Sequence, residues 1–173
     1  VVVNVAAIQP SVGGFITLFP CGETQPVTST LNYAAGQIIA NGATIKVGTG
    51  GKICVFTQQA MHLVVDVTGF HPADSSFVGL TPGRVLETRS GLTTVDGEQN
   101  AVGRRQAGQV TEVLVAGRAG VDPDASAVVV NVAAIQPSVG GFITLFPCGE
   151  TQPVTSTLNY AAGQIIANGA TIK

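Results

Sequence analysis

Three cysteines, two histidines and 18 charged side chains hold nearly all the reactive chemistry of this 173-residue chain. Cys21 and Cys54 lie in strand-like segments, and two cysteines at that spacing suit one disulfide in an oxidising compartment. A loop of that size would contribute about 3–4 kcal/mol through the entropy of the unfolded chain. The competing reading is a pair of small buried thiols. Arg84, Glu87 and Arg89 crowd three charges into one short segment. In a strand Glu87 and Arg89 share a face, so the expectation is a partly buried ion-pair network that fixes register, with an anion or sugar contact as the alternative. Tyr33 and Tyr160 are the only tyrosines and could stack on a sugar ring, but the chain has no tryptophan to widen such a platform.

Other chemistry is weaker. His62 and Asp66 fall on the same side of one strand, yet residues four apart on a strand are separated by about 13 Å, too far to share a proton or a metal. His71 has Ser75 and Ser76 nearby in sequence, with no positioned carboxylate and no nucleophile-elbow motif. Residues 121–126, Val-Asp-Pro-Asp-Ala-Ser, offer oxygens to calcium but lack the glycine and distal glutamate of a helical calcium loop and read as a turn. Gly48-Thr-Gly-Gly-Lys52 has neither the spacing nor the following Ser or Thr of a phosphate loop, and it leads into a strand. No catalytic residue, metal ligand set or cofactor motif emerges, so a non-enzymatic role is expected.

The elements that position these residues are duplicated. Residues 1–46 recur letter for letter as residues 128–173, which makes the chain one period of about 127 residues plus a partial second copy. A period of that length is the size of a whole domain, which predicts a string of self-contained beads instead of a solenoid. It also explains the odd cysteine: Cys148 is the copy of Cys21, and the counterpart of Cys54 would lie beyond Lys173. Only one copy of residues 47–127 is present, so two identical 46-residue segments compete to pack against it. Strand exchange between neighbouring copies or chains, giving head-to-tail polymers or swapped dimers, is the corresponding expectation.

Charged residues make up 10% of the chain, against about 25% in an average soluble protein. Mean hydropathy is positive at +0.41, but Asn, Gln, Gly, Pro and Thr interrupt every apolar run before about 18 residues, so no membrane span is expected. A net charge of −2, with Arg104-Arg105 the only adjacent basic pair, offers no stripe for phosphates and argues against nucleic acid binding.

Apolar residues alternate with period two almost throughout. Along residues 61–70, Met61, Leu63, Val65 and Val67 share one face and His62, Val64 and Asp66 the other. Strands are expected at residues 1–8, 15–19, 28–33, 37–46, 52–57, 61–70, 77–80, 84–88 and 109–116, with an exposed loop over 95–108. So many strands without helical stripes predict an all-β fold, an antiparallel β-sandwich with Greek-key or jelly-roll connections. The run His71-Pro-Ala-Asp-Ser-Ser76 is the most linker-like stretch. A boundary there makes residues 1–74 the C-terminal part of one repeat and 75–173 the N-terminal part of the next. The alternative takes 1–127 as one permuted, complete unit and 128–173 as a partial copy.

The segment Leu-Thr-Pro-Gly-Arg-Val-Leu-Glu-Thr-Arg at 80–89 resembles a repeat family of large secreted bacterial proteins, chiefly of actinobacterial type, whose units open with Leu-Thr-Pro-x-Arg-Leu-Leu-Asp-Thr-Arg. Val-Val-Val-Asn-Val at 128–132, Gly-Phe-Ile-Thr-Leu-Phe-Pro-Cys at 141–148, Leu-Asn-Tyr at 158–160, Gly163-Gln164 and Asp-Val-Thr-Gly-Phe at 66–70 follow the same pattern in order. Glu87 stands where that family has Asp, a carboxylate longer by one methylene. The resemblance covers most of the period. It implies an extracellular or cell-surface repeat module with no attached activity, and it supports a unit boundary near Ser75. The sequence thus points to a secreted structural or adhesive repeat protein, forming a stalk, filament or surface array, whose principal partner is itself. A lectin-like module binding cell-surface glycans by avidity is the alternative.

Overall fold

The structure, a computed structural model, describes residues 1–73 and 75–173, with position 68 given by its backbone alone. It is all-β. Ten strands are present among the described residues: β1 (Val2–Ile8), β2 (Gly14–Pro20), β3 (Leu31–Tyr33), β4 (Ile38–Thr44), β5 (Ile53–Thr57), β6 (His62–Gly69), β7 (Val128–Ile135), β8 (Gly141–Ile143), β9 (Leu158–Tyr160) and β10 (Ile165–Ile172). A single 3-10 turn, Thr49–Gly51, leads into β5.

Strands β1–β4 of the first copy join β5 and β6, which lie outside the duplicated block, in two three-stranded antiparallel sheets, ordered β4-β1-β6 and β3-β2-β5. The alternation in β1 explains its central place. Val3, Val5 and Ala7 are buried while their neighbours are only partly so, as a strand with one face on a core requires. Ile16 and Leu18 from β2, Leu31 and Tyr33 from β3, and Ile45 complete one core shared by both sheets. Successive strands mostly cross from one sheet to the other, which makes the arrangement a sandwich and not a meander.

The second copy forms two smaller sheets, β10-β7 and β8-β9. Its local geometry repeats that of the first. Gln9 and Gln136 both adopt a left-handed backbone, with φ of 48° and 47°, and their amides donate to Gln37 and Gln164 carbonyls at 2.8 and 2.7 Å. Tyr33 and Tyr160 fold over Gly14 and Gly141; a Cβ at either glycine would sit 2.8 or 2.9 Å from the phenol oxygen.

Strand extent does not repeat. Gly14–Pro20 is a seven-residue strand, whereas the same sequence at 141–147 is strand only over Gly141–Ile143. The cause is pairing. Ile16 to Pro20 lie opposite Thr57 to Ile53 of β5, and among the described residues no strand lies opposite 144–147. Likewise β1 has β6 on its second edge, and β7 pairs with β10 alone among the described strands.

Residues 77–127 contain no strand, which corrects the expectation of strands at 77–80, 84–88 and 109–116. Short backbone hydrogen bonds substitute: Val95 and Gly103 donate to the Arg84 and Thr88 carbonyls, and Glu87 exchanges bonds with Gln99 and Val102. A bent pair of chains results, with too irregular a register for a ladder.

Candidate interaction surface

The charged residues of the 77–127 segment are held by one another. Glu87 is 4% exposed and its carboxylate accepts four hydrogen bonds: from Arg84 Nη1 at 2.8 Å, and from the Arg89 backbone N–H, Nε and Nη2, each at 2.9 Å. The Arg89 side chain is the main reason the carboxyl pKa falls to about 2, against the upward push of burial; the Arg89 amide and both cationic charges add to the fall. The predicted triad therefore does come together. Both arginines turn on the one carboxylate, and Arg89 stays partly exposed.

A second cluster was not visible in the sequence. Arg118, 7% exposed, grips Asp96 through Nε and Nη2 at 2.7 and 2.8 Å, and its remaining N–H groups reach the Val85, Glu98 and Leu114 carbonyls and Gln99 Oε1. This fork holds the Asp96 carboxyl well below the usual carboxylate range. It ties the loop at 95–108 to the chain 20 residues onward. The loop is otherwise mostly exposed. The only available signal was that a charge-poor chain placed isolated charges at both positions.

Tyr33 is 4% exposed; its hydroxyl points to the Phe15 carbonyl at 3.5 Å, and burial raises its pKa. It is a core residue with no open ring face for a sugar. Tyr160, the same residue in the second copy, is half-buried. His62 and Asp66 lie on the exposed side of β6, and among the described residues no three His, Cys, Asp or Glu side chains gather as metal ligands would. The Asp122 carboxylate accepts the Asp124 amide at 2.8 Å, closing the turn at 121–126 on itself. The unit boundary expected between residues 74 and 75 falls on Asp74, outside the described residues. Around it, the rings of His71 and Phe77 stack at 4.2 Å.

Cys21 and Cys54 form a disulfide with Cα atoms 5.0 Å apart, linking the end of β2 to β5. Cys148 is a free, exposed thiol. The surroundings of these two chemically identical positions differ: β5 and the 48–52 turn lie beside the first and not the second.

The two copies touch through uncharged amides. Asn41 donates to the Thr30 carbonyl at 2.6 Å and to Asn131 Oδ1 at 3.2 Å; Asn131 donates to the Ser29 carbonyl at 2.7 Å; and the Gly169 amide reaches Asn41 Oδ1 at 3.3 Å. A Cβ at Gly169 would come within 2.6 Å of the Gly42 carbonyl oxygen, so glycine permits the close approach.

Beyond this junction, the second copy presents an apolar surface that the first keeps covered. Val3, Val5, Ile16 and Leu18 are buried, and their copies Val130, Val132, Ile143 and Leu145 are only partly so; Phe142 is 59% exposed. The space beside these positions is open and is lined by the 77–127 segment and by first-copy residues such as Thr30 and Ile39.

No family model matches the chain, and neither curated proteins nor solved structures yield a match.

Proposed function

We propose that this protein is a non-enzymatic, extracellular structural repeat, in which tandem β-sandwich modules give length and stiffness to a stalk, filament or surface array. The observation that carries the reading is the exact 46-residue duplication folded twice into the same strand order, with the copies in contact through the Asn41–Asn131 amides. Modules that meet through short uncharged contacts resist bending more than modules joined by a flexible linker. A disulfide between β2 and β5 suits an oxidising exterior, and no helix among the described residues is long and apolar enough to cross a membrane. The resemblance of residues 80–89 to the opening signature of secreted bacterial repeats points the same way. The charged clusters are spent on internal ion pairs, which favours a scaffold over a binding pocket.

Small-angle scattering from chains of two, three and four periods tests this. The maximum dimension should grow by an equal increment per added period. A dimension that grows only as the cube root of mass would reject an extended array. A glycan array on the same chains provides the contrary outcome: binding that multiplies with repeat number would move the assignment to a lectin.

A further inference from the structure

We propose that Asn131 and Gly169, on the outer face of the β7–β10 pair, and Asn41 with the Ser29 carbonyl, at the β4 edge of the first copy, are the two halves of a directional module-to-module interface whose partner in an array is the next copy of the module. This rests on the repeat reading above and names the contact that transmits its stiffness.

The two halves come from different parts of the module. Val3, Val5 and Ala7 of β1 face the core, so Asn4 faces outward, and Asn131, its copy, lies on the outer face of β7 opposite Gly169. Asn41 is placed differently. It lies opposite Val5 on the core side of β4, the outermost strand of its sheet, and its amide bridges to the Thr30 carbonyl just before β3 of the facing sheet. The Asn131 amide enters this rim and is read at both ends. Its Oδ1 accepts from Asn41 Nδ2 at 3.2 Å, and its Nδ2 donates to the Ser29 carbonyl at 2.7 Å. Alongside, the Gly169 amide donates to Asn41 Oδ1, and its Cα passes so near the Gly42 carbonyl that a Cβ would come within 2.6 Å. An outer face thus meets an edge. Such a contact is heterologous, because it uses a different patch on each partner; repeated from copy to copy it runs in one direction and does not close on a pair.

The rim is built by the module itself. In the second copy Asn168 donates to the Thr157 carbonyl at 2.7 Å, as Asn41 does to Thr30 at 2.6 Å. The arm that presents the Ser29 carbonyl is also fixed in the same way twice. Thr17 and Thr144 hydroxyls donate to the Thr28 and Thr155 carbonyls, and the Leu18 and Leu145 amides donate to the Thr30 and Thr157 hydroxyls at 3.0 Å. Because the same bonds form in each copy, the rim is ordered before docking, and the joint costs little further ordering. Its groups are uncharged amides and carbonyls, so salt does not screen it. Specificity comes from the polarity of one amide and from the missing side chain of one glycine.

The test uses the full chain, isotopically labelled, in a dilute aligning medium. Residual dipolar couplings from the amides of β1–β4 and of β7–β10 should fit one alignment tensor, because the joined copies tumble as one body. Asn131→Asp preserves the size of an exposed side chain but turns a carboxylate oxygen on the Ser29 carbonyl. Gly169→Ala sets a methyl against the Gly42 carbonyl. Each variant should split the couplings into two tensors while the β7–β10 amides keep their native shifts relative to one another. Two tensors in the unsubstituted chain would overturn the proposal, as would a single tensor retained in Asn131→Asp or in Gly169→Ala. A chain with two independent tensors can still lengthen by an equal scattering increment per period, so the interface can fail while the array reading stands.

Discussion

Glu87 shows how few residues anchor a strandless stretch of 51 residues between two sheets. Its carboxylate is ionised in the folded protein down to about pH 2, whereas an unperturbed glutamate titrates near 4.5. The linkage has a definite sign. The folded-state pKa is depressed, so the stabilisation is fully present above about pH 4.5 and is lost as pH falls from there through about 2. Acid titration followed by NMR should show the Val102 and Gly103 amides, which bond to the Glu87 and Thr88 carbonyls, losing native shifts across that window. In Glu87→Gln that acid step should be absent and the segment weakened at neutral pH, because two arginines lose their charged partner. An unchanged acid profile in the variant would show that the carboxylate does not hold the segment. At this scale the sequence was partly legible. Three charges within six residues of a charge-poor chain announce a network, whereas Asp96 and Arg118 are joined only by the path of the backbone between them, which no spacing rule contains. Tyr33 is buried, and the possibility of a sugar contact there reflects that a lone aromatic with a polar tip looks the same in sequence whether its ring faces water or a core.

Among the strands, the duplicated sequence provides an internal control that separates local from tertiary causes. Turns, left-handed glutamines and the tyrosine over glycine recur in both copies, so they are written in residues a few positions apart. The length of β2 against β8 does not recur, although the residues are the same, so strand extent belongs to the partner and not to the segment. This is why period-two alternation locates strands β1–β6 to within about three residues, yet predicts three more in 77–127 that do not form. Alternation reports the capacity to pair and says nothing of whether an edge is on offer. The contrast has an energetic consequence. Leu18 is completely buried and Leu145 is not, so Leu18→Ala should cost about 2–5 kcal/mol of unfolding free energy and Leu145→Ala less than half of that. Urea denaturation of the two variants measures the difference; equal losses would mean that β5 adds little to the packing around Leu18.

Across the molecule, residues 1–46 and 128–173 form the same pairs of strands, and β5 and β6 complete the sandwich of the first set. Repetition and the odd cysteine are legible in the sequence, because both are matters of counting. Which set pairs with β5 and β6 is not, since identical segments give sequence no ground for preference; the short connection through residues 47–52 favours the first. With β5–β6 the closing element of every module, supplying a second pair should complete the second copy. Appending the sequence of residues 47–69 after Lys173 does this in the natural order, and the most direct measurement is the number of alkylatable thiols in the natively folded, air-oxidised product. None is expected, with Cys148 paired to the added copy of Cys54 and Cys21 still paired to Cys54. Reactive thiols persisting at Cys148 and at the added cysteine would contradict it.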